Sequence, residues 1–129
     1  MKQNITADDL NRLSEKGRER LRKWWKPIGN EYIYSPTYKI GSPNIQGWAV
    51  HQMFDSWAKD WNKMKKEFEW VKLSLPLLSI GQLMELLDDF SPYDYSYKYW
   101  SAWLGENKPC KSYPICDLLW KKVKEELEK

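Results

Sequence analysis

Along the chain, apolar and polar positions alternate with different periods, and each period predicts an element. Thr6 followed by Asp9 is an N-cap signature, and it predicts a short helix that buries Leu10 and Leu13. Ser14 reads as a second cap, for a helix running to Trp24-Trp25 and ending before Pro27. Gly29-Asn30 supplies a turn. Residues 31–40, rich in Tyr and Ile and interrupted by Ser35 and Pro36, predict a short edge strand and a bend. Gly41-Ser42-Pro43-Asn44 is a loop. Val50, Phe54, Trp57, Trp61, Met64 and Phe68 follow at helical spacings, which predicts one long amphipathic helix of about five turns. Asp55 and Lys59 stand at i,i+4 on it.

Trp70 to Leu75 alternates as a half-buried strand does. Ser79 with Gln82 is a capping box, opening a helix with Ile80, Leu83, Met84 and Leu87 inward and its end near Asp89. Ser91-Pro92 breaks that helix. Tyr93, Tyr95, Tyr97 and Tyr99 then recur at every second residue, followed by Trp100 and Trp103, a strand pattern. Pro114, at or near N1, precedes a closing helix with Ile115, Leu118, Leu119, Val123 and Leu127 inward and charged last turns that fray. With no internal repeat and no linker, the expectation is a single α+β domain over residues 1–129. A small, mainly antiparallel sheet packs against several helices in it.

Composition changes this picture at one point. The chain has nine Trp, eight Tyr and three Phe in 129 residues, against one His and two Cys. Trp and Tyr offer a flat apolar face with a polar tip and few rotors to freeze, which suits binding. No run of about 20 apolar residues is present, and Met1-Lys2-Gln3-Asn4 leads into no apolar segment, so neither a membrane span nor a signal peptide is expected. A cytoplasmic protein is expected, with Cys110 and Cys116 kept as thiols. His51 is the lone histidine, so no N/S metal site and no cofactor are expected.

The net charge of +3 is uneven: residues 1–30 hold eight Lys/Arg against four Asp/Glu. Arg12, Lys16, Arg18, Arg20, Arg22, Lys23 and Lys26 form either a solvated helix face or a patch for phosphate groups. Catalytic motifs are absent: there is no phosphate-binding glycine loop, no dinucleotide fingerprint and no zincin motif. Glu85, Asp88 and Asp89 gather carboxylates at helical spacing, either as a solvated acidic end or as oxygen ligands for Mg²⁺. A Cys–His pair from Cys110 or Cys116 with His51 has nothing local to activate the thiol.

The Tyr row is the leading candidate for function. Tyr95, Tyr97, Tyr99 and Trp103 share one strand face, where bases stack at about 1–3 kcal/mol each. Lys98 on the same strand, with Arg18 and Arg22, would meet phosphate. The competing account is a cross-strand aromatic face that only stabilises the sheet.

Three segments resemble small uncharacterised accessory proteins of phages and prophages of Gram-positive bacteria. They are Leu13-Ser14-Glu15-Lys16-Gly17-Arg18-Glu19-Arg20-Leu21-Arg22-Lys23-Trp24-Trp25, Leu75-Pro76-Leu77-Leu78-Ser79-Ile80-Gly81-Gln82-Leu83-Met84-Glu85-Leu86-Leu87, and Cys116-Asp117-Leu118-Leu119-Trp120-Lys121-Lys122-Val123. These motifs are caps and apolar faces, and they carry over no functional residue. The resemblance implies a counter-defence protein that acts by binding. The leading expectation is therefore a non-enzymatic, oligomeric protein that sequesters a nucleotide-type signalling ligand. Inhibition of a host defence enzyme through protein–protein contact is the alternative, and nucleic-acid binding is a third.

Overall fold

Capping and pairing chemistry sets most of the boundaries. A computed structural model of the chain describes residues 3–90 and 114–129. Among the described residues there are seven helices and a three-stranded antiparallel sheet, an α+β fold. The chain divides into two compact units, one of Met1–Arg20 with Leu78–Lys129, the other of Leu21–Leu77.

In the first unit, α1 (Ala7–Asn11) opens on the predicted capping box. Asp9 N–H donates to Thr6 Oγ1 at 3.3 Å and Thr6 N–H donates to Asp9 Oδ2 at 2.9 Å. Ser14 caps α2 (Glu15–Trp24), its Oγ accepting from Gly17 N–H at 3.1 Å. Helix α6 (Ile80–Phe90) carries the second capping box, with Gln82 N–H donating to Ser79 Oγ at 3.2 Å and Ser79 N–H to Gln82 Oε1 at 3.0 Å. It buries Leu83, Leu86 and Leu87, whereas Met84 is exposed, because the inward stripe runs one residue round from the predicted one. Helix α7 (Ile115–Leu127), with Pro114 at the N-cap, packs on α6 through Leu118, Leu119, Val123 and Leu127.

The charged end of α7 is tied down by an arginine. Arg20 Nη1 donates to the Glu126 carbonyl at 2.7 Å and the Leu127 carbonyl at 3.2 Å, and its guanidinium lies over the Phe90 ring, 5.1 Å from the centroid. Last-turn carbonyls have no partner within their own helix, so an arginine placed there supplies the missing donors.

In the second unit, β1 (Tyr32–Tyr38) pairs antiparallel with β2 (Ile45–Gln52) on one side and with β3 (Leu75–Pro76) on the other. The sheet order β2-β1-β3 makes β1 the central strand, not the predicted edge. Its proline is tolerated because of which way it faces. Leu77 N–H donates to the Tyr32 carbonyl, so by alternation the backbone of Pro36 also turns toward the β3 side. There β3 pairs only with Ile33 and Tyr34, and no ladder bond is lost.

The predicted long helix over residues 50–68 is replaced by β2 and two short helices, α3 (Asp55–Lys59) and α4 (Trp61–Glu67). Val50 belongs to β2, where pairing with β1 satisfies the backbone; it, Phe54 and Phe68 are exposed. Only Trp57, Trp61 and Met64 keep the inward spacing. The predicted strand over Trp70–Leu75 is helix α5 (Glu69–Leu73) followed by β3. Ser74 Oγ donates to the Trp70 carbonyl at 2.7 Å, a helical i→i−4 bond, and lies 2.7 Å from Ser35 Oγ. The core here is Trp25, Ile33, Met53, Trp61 and Val71.

Replacing Arg20 by Ala should lower unfolding stability by about 1–3 kcal/mol in urea titrations, since charged donors leave last-turn carbonyls unpartnered. Arg20→Lys should recover only part of this, because an ammonium does not stack on the Phe90 ring as the planar guanidinium does. An Arg20→Ala midpoint equal to wild type would show that water serves those carbonyls equally well.

Candidate recognition surfaces on the sheet

The register of β1 and β2 sorts their side chains onto two faces. Ile33, Ser35 and Thr37 share a face with His51, Ala49 and Gly47; Tyr32, Tyr34 and Pro36 share the other with Gln52, Val50 and Trp48. Between Thr37 and Tyr38 the register shifts, so that Tyr38 pairs with Ile45 and Gln46 is the extra residue of a bulge.

The Ile33–His51 end of the first face is closed by tryptophans, whereas Thr37 and Ala49 on it are exposed. Trp25 and Trp61 meet edge to face with centroids 5.1 Å apart, and both are buried. Trp70 lies 6.3 Å from Trp61 and 5.6 Å from Trp57, again edge to face. His51 contacts Trp57 at 5.9 Å and Trp70 at 6.4 Å. At the outer limit of the cluster, Phe54 packs on Trp57 at 4.7 Å and Phe68 on Trp70 at 6.4 Å. These two phenylalanines are 61% and 45% exposed, so the cluster runs from core to surface. Mutual T-shaped packing occupies the ring faces, which is how aromatic cores are built.

Trp25 is held in place by an acid. Its Nε1 donates to Glu31 Oε1 at 2.6 Å, and Ile28 N–H donates to Glu31 Oε2 at 3.0 Å. Burial raises the Glu31 carboxyl above its ordinary value, against the lowering effect of the Ile28 and Trp25 hydrogen bonds.

The second face is more open. Tyr34 and Trp48 are diagonal neighbours across the strand pair, with centroids 5.2 Å apart and planes tilted by 30°. Both are half-buried. Beside them Tyr32 is 49% and Val50 47% exposed, and Ile45 at the far end is also exposed. Lys39, exposed, follows β1 directly. The resulting strip of two tyrosines, a tryptophan and a β-branched residue is the shape of a stacking platform.

Of the sequence-predicted site residues, Tyr95, Tyr97, Lys98, Tyr99 and Trp103 lie outside the described residues, as does Cys110. Arg18 belongs to the first unit, with Nε and Nη2 donating to the carbonyls of Leu10 at 3.4 Å and Asn11 at 3.1 Å. Arg22 belongs to the second, with Nη2 donating to the Leu73 carbonyl at 3.1 Å. Both thus cap helix C-termini. Sequence reasoning passed over Tyr32, Tyr34, Trp48 and Val50, although the signal was present. Tyr32, Tyr34 and, beyond Pro36, Tyr38 fall on even positions of β1, as do Trp48, Val50 and Gln52 on β2.

Among the described residues no three His, Cys, Asp or Glu side chains are grouped to hold a metal ion, and no helix is long and apolar enough to cross a membrane. Comparisons with protein-family models, curated proteins and solved structures return no match.

Because its folded-state pKa lies above the unfolded one, Glu31 holds its proton more tightly in the folded protein across the interval between them. Its contribution is most favourable below the ordinary value of 4.5 and is lost as pH rises through the folded value. Wild type should therefore lose stability relative to Glu31→Gln as pH is raised from below 4.5 to neutrality. Parallel pH profiles of the two unfolding free energies would remove this assignment.

Proposed function

We propose that the protein is a non-enzymatic binding protein that sequesters a nucleotide-type ligand on the open face of its sheet. The observation that carries this reading is the Tyr34–Trp48 pair, two rings 5.2 Å apart on a half-open strand surface with exposed Tyr32 and Val50 beside it. A base laid on such rings gains stacking energy without needing a matched hydrogen-bond pattern. The resemblance of the helical segments to phage accessory proteins suggests the setting, in which capturing a signalling nucleotide silences a host defence.

A second reading is favoured by a separate feature. Phe54 and Phe68, exposed at the rim of the Trp57–Trp70 cluster, are the kind of aromatic anchors that dominate protein–protein contacts. Inhibition of a host enzyme by direct binding would use that rim and leave the Tyr34–Trp48 face free.

The two readings separate in one experiment. Native mass spectrometry after incubation with lysate of defence-activated host cells should show a bound mass of nucleotide size, and calorimetry with the released nucleotide should give its affinity. Trp48→Ala should weaken that affinity by about 10- to 100-fold, the value of one base–aromatic stack. Capture of a stoichiometric polypeptide, abolished by Phe54→Ala and Phe68→Ala but not by Trp48→Ala, would replace the nucleotide reading with the inhibitor one.

A further inference from the structure

The two edges of the sheet are built differently. One edge, β3, is two residues long and contains Pro76. The other, β2, runs for eight residues, Ile45–Gln52, and among the described residues no strand pairs with its outer side. Proteins blunt such edges with lysine, proline, inward charges or a covering element, because unpaired backbone groups template pairing with another chain. Strand β2 carries no Lys, Arg, Asp, Glu or Pro, in a chain where charged residues make up 30%. Its one irregularity, the bulge at Gln46, falls at its start and leaves residues 47–52 in regular register with β1.

The direction of the free groups follows from the ladder. Tyr32 gives its carbonyl to Leu77, so Tyr32 and its cross-strand partner Gln52 form a pair that exchanges no hydrogen bonds. By alternation Trp48, Val50 and Gln52 turn their N–H and C=O groups away from β1. Among the described residues no backbone bond reaches these groups, and Ala49 and Val50 are exposed.

We propose that β2 is a pairing edge for a second copy of this chain, joined antiparallel about a two-fold axis at Ala49. In that register Trp48 lies opposite the partner's Val50 and exchanges both backbone bonds with it, and Val50 does the same with the partner's Trp48. Gly47 faces the partner's His51, so the smallest residue of the strand meets an imidazole already packed against two tryptophans. Ala49 meets the partner's Ala49 at the axis, where a non-hydrogen-bonded pair brings backbones to about 4.5 Å and leaves room only for small side chains. Each opposed pair keeps its face, as antiparallel pairing requires, and the aromatic–β-branched pair Trp48–Val50 is a stabilising kind. The strand is thus complementary to itself, which is what an isologous contact needs. The consequence for the platform is direct: the partner's Val50 extends the Tyr34–Trp48 strip across the axis into one surface. The argument stands on sheet geometry and does not depend on the ligand reading.

The test uses the full chain. Sedimentation equilibrium from low to high micromolar should show a mass doubling with concentration. Ala49→Lys opposes two like charges at the axis and should weaken dimerisation by about 100-fold or more. Ala49 lies on the opposite face from Tyr34 and Trp48, so the variant keeps each protomer's platform residues, and nucleotide binding that persists in its monomer would report on the unpaired platform. Ala49→Cys should give an oxidised dimer that wild type, with its native cysteines, does not, since about 4.5 Å between Cα atoms lies within disulfide range. A wild-type protein monomeric throughout, a dimer indifferent to Ala49→Lys, or no Ala49→Cys crosslink in a protein that dimerises, would each overturn the pairing.

Discussion

The fold depends on where helix α2 puts its arginines. Arg18, Arg20 and Arg22 each reach the C-terminal carbonyls of a different helix: α1, α7 and α5 respectively. A helix of five residues, such as α1 or α5, nucleates poorly by itself, and its last carbonyls have no internal partner. A cation there satisfies those carbonyls and opposes the negative end of the macrodipole. Lysine would supply the charge but not the fork, and Arg18 uses the fork, its Nε and Nη2 donating to the carbonyls of Leu10 and Asn11. The positive excess of the first 30 residues is therefore in part structural.

In the sheet, a comparable economy governs the prolines. Pro76 faces Ile33 in a pair that exchanges no backbone bonds, and Pro36 turns toward the side where β3 has already ended. Both fit a strand without removing a ladder bond, which lets β1 sit in the middle. One face of β1 is then fixed by Ile33 in the tryptophan core and by the buried Ser35–Ser74 pair. With Ser74 donating its only hydroxyl proton to Trp70, Ser35 must donate to Ser74, so both buried hydroxyls are satisfied. The other face is less covered: Pro36 on it is buried, Tyr34 and Trp48 are half-buried, and Tyr32 and Val50 are exposed.

The parts legible in the sequence were those whose determinants are local. The Thr6–Asp9 and Ser79–Gln82 boxes each bond three residues away, and Pro27 and Pro114 bound helices by their own stereochemistry. What failed was local pattern in competition with distant pairing. Val50, Phe54, Trp57 and Trp61 fit a helical stripe, yet Val50 gains more as a strand residue opposite Tyr34, a partner 16 positions away. The 3–4 spacing could not reveal that Asp60 interrupts the helix, giving α3 and α4 in place of one rod. Likewise the alternation from Trp70 to Leu75 concealed the i→i−4 bond from Ser74 to Trp70. For the candidate site, every-second-residue spacing marked Tyr93–Tyr99, which lie outside the described residues, while Tyr32 and Tyr34, two apart with Tyr38 four further on, share one side of β1.

Platform and edge share the same two residues, and this ties the two proposals together energetically without making either depend on the other. Trp48 offers its ring to the open face and its backbone to the free side of β2; Val50 does likewise. A molecule stacked across the strip in a paired sheet would touch Trp48 of one copy and Val50 of the next, so it would favour the paired state by its extra contact area. Linkage then requires the reverse: pairing tightens binding by the same factor. A rigid strand pair is also a better stacking surface than a single edge strand, because the rings lose less freedom when a ligand arrives. An uncharged edge beside an aromatic face is an aggregation hazard in a monomer. In a closed two-fold pair the same features cap each other, since antiparallel pairing at β2 covers the longer edge and leaves, among the described residues, outer edges that carry Pro76 on β3 and Pro36 on β1.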